Sequence, residues 1–257
     1  MFKIPDYYDN VSLRLSEVFD DIGVNEKTVL MRRHDAMLKE SLMTISSELT
    51  NSAMSSYIFG SQIEGTTTRA LNSDEDILNC FSRFNVIDDL TRWIPGLQNM
   101  LAVKFDNTCP GYCLLQPLRV DAPLPLRSLS DEPLLYKHLS MDNFQRVIFK
   151  NTWLNDLIPE GEERNGPSIT SKLDSDFHTQ DIVAAYPYHP SPAEAGSWFK
   201  SKRSKRWPII DMEEAVKTNG CFVVPVGKKG SENEESEWRI STSFVERSLM
   251  FSWNIHK

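Results

Sequence analysis

The chain has 257 residues, 40% of them hydrophobic, with 28 basic and 36 acidic side chains and a formal charge of −8. That length and composition allow a substantial buried core, in one large domain or in a domain with an incomplete second lobe. The acidic balance argues against a chain-wide nucleic-acid surface while leaving room for a local basic patch.

No apolar run approaches the length needed to cross a bilayer, and Met1-Phe2-Lys3-Ile4-Pro5-Asp6 lacks the basic-then-apolar layout of a secretory signal, so no membrane partner and a cytosolic setting are expected. In chain order, residues 6 to 25 place Val11, Leu13, Leu15, Val18, Phe19 and Ile22 between acids, an amphipathic helix expected to pack on the core and to stop at Gly23. Residues 26 to 56 hold the longest helical pattern, free of Gly and Pro, with Leu30, Met37, Leu38, Leu42, Ile45, Leu49 and Ala53 at steps of three or four. Arg32, Arg33 and Lys39 lie on it, most simply as a solvated face.

The apolar run Tyr57-Ile58-Phe59 then enters a turn at Gly60-Ser61, followed by Glu64-Gly65 and, a little later, by Ser73-Asp74-Glu75-Asp76-Ile77-Leu78. A glycine lets backbone N–H groups approach a phosphate and a serine adds a hydroxyl. Asp74 and Asp76 stand one strand period apart, so an extended segment points both carboxylates to one side and Glu75 to the other. Such a pair suits Mg²⁺, which is commonly held by one or two carboxylates together with substrate phosphates. A second cation needs another acid from elsewhere in the chain.

Arg83 to Asp88 and Gly111 to Leu118 read as strands, Ala122-Pro123-Leu124-Pro125-Leu126 as a linker or edge loop, Met141 to Leu157 as a helix, and Pro159 to Arg164 as a surface loop. Cys80, Cys109, Cys113 and Cys221 are read as reduced thiols; no partner at zinc-ligand spacing accompanies Cys109 and Cys113, and no structural zinc is expected. Asp181 leads directly into the apolar run Ile182 to Tyr186, which makes it the first candidate for the further metal ligand, ahead of Asp174 and Asp176 in their polar surroundings. Lys200, Lys202, Arg203, Lys205 and Arg206 concentrate positive charge, either as a solubilising loop or as a phosphate contact. Glu237 to Ser243 alternates, placing Arg239, Ser241 and Ser243 on one face, where a guanidinium and two hydroxyls could bond a base edge or a phosphate. The acidic loop 231–236 is expected to face solvent.

Gly60-Ser61, Glu64-Gly65 and Ser73-Asp74-Glu75-Asp76 together resemble the signature of the Mab-like (male-abnormal-twenty-one) nucleotidyltransferase family, to which cyclic GMP-AMP synthase-like receptors belong. The resemblance continues in Asn165-Gly166-Pro167-Ser168, Arg206-Trp207-Pro208, Gly220 to Gly227 and Glu237 to Glu246, and so covers most of the chain from about residue 30. It implies an α/β nucleotidyltransferase fold, a twisted mixed β-sheet flanked by helices including one long N-terminal helix, with an N-terminal helical segment over 1–25 and the family domain over 26–257. The family's C-terminal helical lobe is expected to be largely missing. By the same resemblance Asp74, Asp76 and Asp181 bind Mg²⁺ or Mn²⁺, Gly60 and Ser61 hold a triphosphate, and Arg239, Ser241, Ser243 and Glu246 line the nucleotide pocket. The long helix becomes a groove for a polyanion, ATP and GTP are joined into a cyclic dinucleotide, and double-stranded RNA or DNA is an activator. The rival reading is a catalytically silent scaffold acting through protein contacts or nucleotide binding alone.

Overall fold

The structure is a computed structural model that describes residues 6–64, 75–105, 108–131, 135–160, 162–171, 180–191, 193–195, 214, 216, 218 and 220–252. Two helices lead the chain: α1, Asp6–Asp21, and α2, Glu26–Leu49. The strand β1, Met54–Phe59, runs into the one-turn helix α3, Ser61–Glu64, and then come β2, Glu75–Phe81, β3, Phe84–Ile87, β4, Gln98–Val103, and β5, Tyr112–Pro117. The hairpin of β6, Leu139–Met141, and β7, Val147–Phe149, is followed by β8, Glu163–Asn165, β9, Ser168–Ser171, and β10, Gln180–Tyr188. The strands β11, Cys221–Val224, and β12, Glu237–Ser241, precede α4, Ser243–Ser252.

The expected twisted sheet flanked by helices is not what these strands build. The order β3-β4-β5-β12-β11-β10 closes on itself where Tyr188 of β10 pairs with Val86 of β3, giving a six-stranded barrel. The other strands extend from it: β6 and β7 join through β5, while β1, β2, β9 and β8 form an open sheet with the first half of β10. The protein is therefore mostly β, and β10 belongs to both parts. Its leading residues pair in parallel with β2, and its last three pair with β11.

Closure follows from what the inward faces carry. Val86, Met100, Cys113, Leu115, Phe149, Tyr186, Val223 and Trp238 all belong to one buried cluster. Phe149 and Trp238 stack with ring centroids 5.5 Å apart, and the Trp238 indole N–H donates to the Phe149 carbonyl at 3.0 Å. Aromatic and β-branched residues at alternate positions suit a pleated surface that must be buried on the inside of a ring.

Two helical expectations fail locally. Over Met141 to Leu157 the chain instead makes the β6–β7 hairpin and a 3₁₀ segment, Asn151–Leu157. The Asp142 carboxylate accepts the Phe144 and Arg146 backbone N–H groups at 2.8 and 2.9 Å, and Gln145 takes φ of 60°, so the side chain closes a turn in competition with helix. The long helix also stops at Leu49 rather than reaching residue 56, because Asn51 and Ala53 adopt φ of 56° and 48° and the next residues enter β1.

The apolar face of α2 points the opposite way from expectation. Val29, Arg32, Arg33 and Ser47 are its buried residues, while Leu30, Leu38, Leu42 and Leu49 are exposed. Inside, Arg33 donates to the carbonyls of Ile63, at 3.3 Å, and Met250, at 3.2 Å, and its guanidinium lies 4.5 Å from the Phe251 ring. Glu40 pairs with Arg247 of α4 and accepts the Ile58 N–H at 2.6 Å. Nor does α1 pack on the core, since residues 10 to 22 are all exposed.

Cys80, Cys113 and Cys221 are buried and reduced, and Cys109 is half-buried and reduced. Burial pushes the Cys80 and Cys113 thiols up to about 12, so neither is a nucleophile near neutral pH. No described helix is long and apolar enough to cross a membrane.

Candidate functional site

Alternation on β1, β2 and β10 gives one face of the open sheet to a small apolar cluster of Phe59, Leu78, Cys80 and Ala185, with Val183 and Phe244 against it. At the end of that face the apolar residues give way to acids. Asp181 is the direct cross-strand partner of Asp76 in the parallel β2–β10 pair, and Phe59 opposes Asp76 from β1. In-register residues of paired strands project to the same side, so the two carboxylates share a face. Glu75 projects to the other side, where it accepts Lys39 Nζ at 2.8 and 2.6 Å and Gln180 Nε2 at 2.8 Å.

Gly60 turns the chain directly over Asp76. Its φ is +87°, and a Cβ there would overlap Asp76 Oδ2 and come within 3.2 Å of Cγ. Backbone and carboxylate are thus in contact in a way that only glycine permits. Because the obstructed atoms are the far end of a flexible side chain, Gly60→Ala is predicted to swing the carboxylate aside. We expect it to cost about 1–2 kcal/mol of stability through the left-handed φ; thermal unfolding of the variant beside the unaltered chain checks this.

A cavity of about 270 Å³ opens beside the two strands, and Gly60, Asp76, Arg239, Ser241, Ser243 and Glu246 all line it. The sequence-derived pocket residues therefore meet in one place, although Ser243 starts α4 instead of continuing β12. The Ser241 and Ser243 hydroxyls share a hydrogen bond at 2.7 Å across that junction, and Thr242 Oγ1 donates to Glu246 Oε1 at 2.7 Å. Arg239 is exposed and its side chain makes no hydrogen bond or ion pair to another described residue, which leaves its planar fork of donors open to an anion or a base edge. Ser61 and Asp181 do not line this cavity; they adjoin it through Gly60 and Asp76.

Thr170 was not singled out from sequence, and Glu64 was read only as part of the Glu64-Gly65 motif, without a place in the pocket. Thr170 on β9 faces Asp181, and its hydroxyl donates to Asp181 Oδ1 at 2.7 Å, fixing the carboxylate. Only the alternation of Ser168 to Ser171 hinted that a hydroxyl would face that way. Glu64 lines the cavity and ends the turn that starts at Gly60, with its N–H donating to the Gly60 carbonyl at 3.1 Å. Its position four residues after the glycine, one helical turn on, was a readable signal.

Some candidates fall outside the described residues: Asp74, the competitors Asp174 and Asp176, and the basic residues Lys200, Lys202, Arg203, Lys205 and Arg206. Among the described residues no group of three or more His, Cys, Asp and Glu side chains is placed to hold a metal. The pair of Asp76 and Asp181 nevertheless fits the hard-cation chemistry of Mg²⁺, which takes one or two carboxylates and draws its other ligands from water and phosphate. A larger hollow, about 680 Å³, lies between Arg164 and the 231–236 loop. Glu232, Glu234, Glu235 and Arg164 line it, the same balance of three acids and one arginine as in the smaller cavity, which differs in setting Asp76 against the Gly60 turn.

No family model matches the chain, and no curated protein matches it either.

Proposed function

We propose that this protein is a divalent-cation-dependent nucleotidyltransferase that joins ATP and GTP, in the cytosol, into a cyclic dinucleotide. The observation that carries the reading is the in-register pair Asp76 and Asp181 beside the Gly60 turn and the cavity bearing Arg239, Ser241, Ser243 and Glu246. The proposal rests on this constellation of side chains and on the resemblance of its motifs, and not on the sheet architecture that was expected to carry them.

Asp76 and Asp181 are the residues that would hold Mg²⁺ or Mn²⁺, with Asp74 as the remaining candidate. When bound, the cation would neutralise phosphate charge and make the α-phosphorus more open to attack. The protein's own part is placement. Thr170 keeps the Asp181 carboxylate oriented, and the Gly60 turn with the Ser61 hydroxyl receives the triphosphate. Arg239 meets a phosphate or base edge, and the linked Ser241 and Ser243 hydroxyls complete the contact. In each of two successive transfers, the first joining the nucleotides and the second closing the ring, a ribose hydroxyl oxygen forms a bond to the α-phosphorus of the other nucleotide, the α–β phosphoanhydride bond breaks, pyrophosphate leaves, and the hydroxyl proton passes to water. Little covalent help is asked of the protein, so alignment and charge neutralisation supply the rate.

The test is incubation of the purified chain with labelled ATP and GTP and Mg²⁺, without and with duplex RNA or DNA. The expected result is a new nucleotide product and released pyrophosphate. Binding of Mg²⁺-ATP with no product under any of these conditions would reject catalysis and leave a nucleotide-binding scaffold. The duplex arms ask whether nucleic acid is an activator, the partner that the basic run 200–206 and the resemblance both favour.

A further inference from the structure

The two N-terminal helices present apolar seams that nothing in the described chain covers. On α1, Val11, Leu15, Val18 and Ile22 are 45%, 50%, 52% and 50% exposed. On α2, Leu38, Leu42, Ile45 and Leu49 are 52%, 59%, 50% and 83% exposed, and Met31, seven residues before Leu38, extends the same face. Both seams step by four, three and four residues, the spacing by which two helices interlock along a left-handed supercoil. The face of α2 that meets β1 is the opposite one, carrying Val29, Arg33 and Ser47.

The seams do not meet within one molecule. Among the described residues α1 has no extensive contact with any other element. The elbow between the helices is fixed at both ends. Val24 N–H donates to the Phe19 carbonyl at 2.7 Å and Gly23 N–H to the Asp20 carbonyl at 3.0 Å, with Gly23 at φ +83°, a helix stop of the Schellman type. Asn25 then caps α2, its Oδ1 accepting the Thr28 N–H at 2.9 Å. Folding α1 back onto its own α2 would have to break this arrangement.

We propose that a second copy of the chain covers these seams, α1 of each protomer lying along α2 of the other about a two-fold axis. The area is sufficient. The seam side chains of the two helices, each about half exposed or more, together present the about 800 Å² that one side of a stable interface needs. Crossed pairing is favoured over α1 against α1 because α1 carries Asp6, Asp9, Glu17, Asp20 and Asp21 against one Arg14, so two copies side by side would repel. The same acidity disfavours an anionic lipid surface as the occupant. Each contact is made twice in such a closed pair, as two-fold symmetry requires.

The experiment is sedimentation equilibrium of the full chain from about 1 to 100 µM, a range in which an interface of this size is populated. A dimer is expected. The variant Leu42→Glu/Ile45→Glu is expected to raise the dimer dissociation constant by about 10²-fold or more, with unchanged circular dichroism because both side chains face solvent in the single copy. Separately prepared Val18→Cys and Leu42→Cys chains, mixed and oxidised, should give a disulfide between protomers that joins the two introduced thiols. A monomer at every concentration, a dimer unaffected by the two glutamates, or linkage of Val18→Cys chains only to themselves would each overturn the proposal.

Discussion

Under the proposed function, Asp76→Asn and Asp181→Asn should each lower nucleotidyl transfer by about 10³-fold, equivalent to about 4 kcal/mol in the barrier, while leaving the fold intact. Asparagine keeps the shape of the side chain but loses the negative charge that a hard cation requires. Both aspartates are half-exposed at the end of the shared face, so neither substitution opens a cavity. In the Asp181 variant the amide oxygen still accepts the Thr170 hydroxyl, which separates loss of charge from loss of position. Steady-state product formation together with thermal unfolding decides the matter. Activity within about tenfold of the unaltered chain, where a metal ligand should cost far more, would remove these carboxylates from the mechanism.

Glu40→Ala should be the most damaging single change to stability, at about 3–5 kcal/mol. The Glu40 and Arg247 side chains are only 12% and 8% exposed, so removing the carboxylate strands a guanidinium in the interior. Arg247 would keep its bond to the Ile58 carbonyl at 2.8 Å and its position 5.0 Å from the Phe59 ring and 5.1 Å from the Phe244 ring, which recovers only part of the loss. The Ile58 N–H would lose its acceptor as well. For a chain of this size the expected fall in Tm is about 10 °C. The double variant Glu40→Leu/Arg247→Met should recover most of it, since a buried ion pair replaced by apolar groups of similar volume is often close to neutral. Scanning calorimetry of the two variants gives the comparison; a Glu40→Ala chain as stable as the original would mean that the pair is solvated in solution.

Glu40 and Arg247 also mark where the sequence stopped being informative. The helix around Glu40 was legible from its periodicity, but the periodicity assigned its apolar side to the core. Arg33 and Arg247 are instead turned inward because carbonyls and rings at Ile58, Ile63, Met250 and Phe251 satisfy them, and Glu40 because it accepts from the Ile58 N–H and pairs with Arg247, and no local pattern encodes that. The barrel was hidden for the same reason. Its closure depends on Tyr188 meeting Val86, and the strands that make the ring are short runs that alternate no differently from those of an open sheet.

The candidate site was more legible because its chemistry is written in local spacing. The step from Glu75 to Asp76 decides which side chain meets Lys39 and which meets the cavity, and the acid ahead of Ile182 to Tyr186 falls at the start of β10 beside β2. Gly60 could be read as a turn, but its contact with Asp76 required the β1–β2 register. Thr170 was missed because a hydroxyl in a short strand has nothing in sequence to say which carboxylate it will face.

The account depends most on Asp76 and Asp181 acting together on one nucleotide-bound cation. Electron paramagnetic resonance of Mn²⁺ added to the full chain, with and without a non-hydrolysable ATP analogue, measures this directly. Nucleotide-dependent Mn²⁺ binding in the unaltered chain that disappears in both Asp76→Asn and Asp181→Asn is the predicted result. Equal Mn²⁺ binding in all three chains would contradict it.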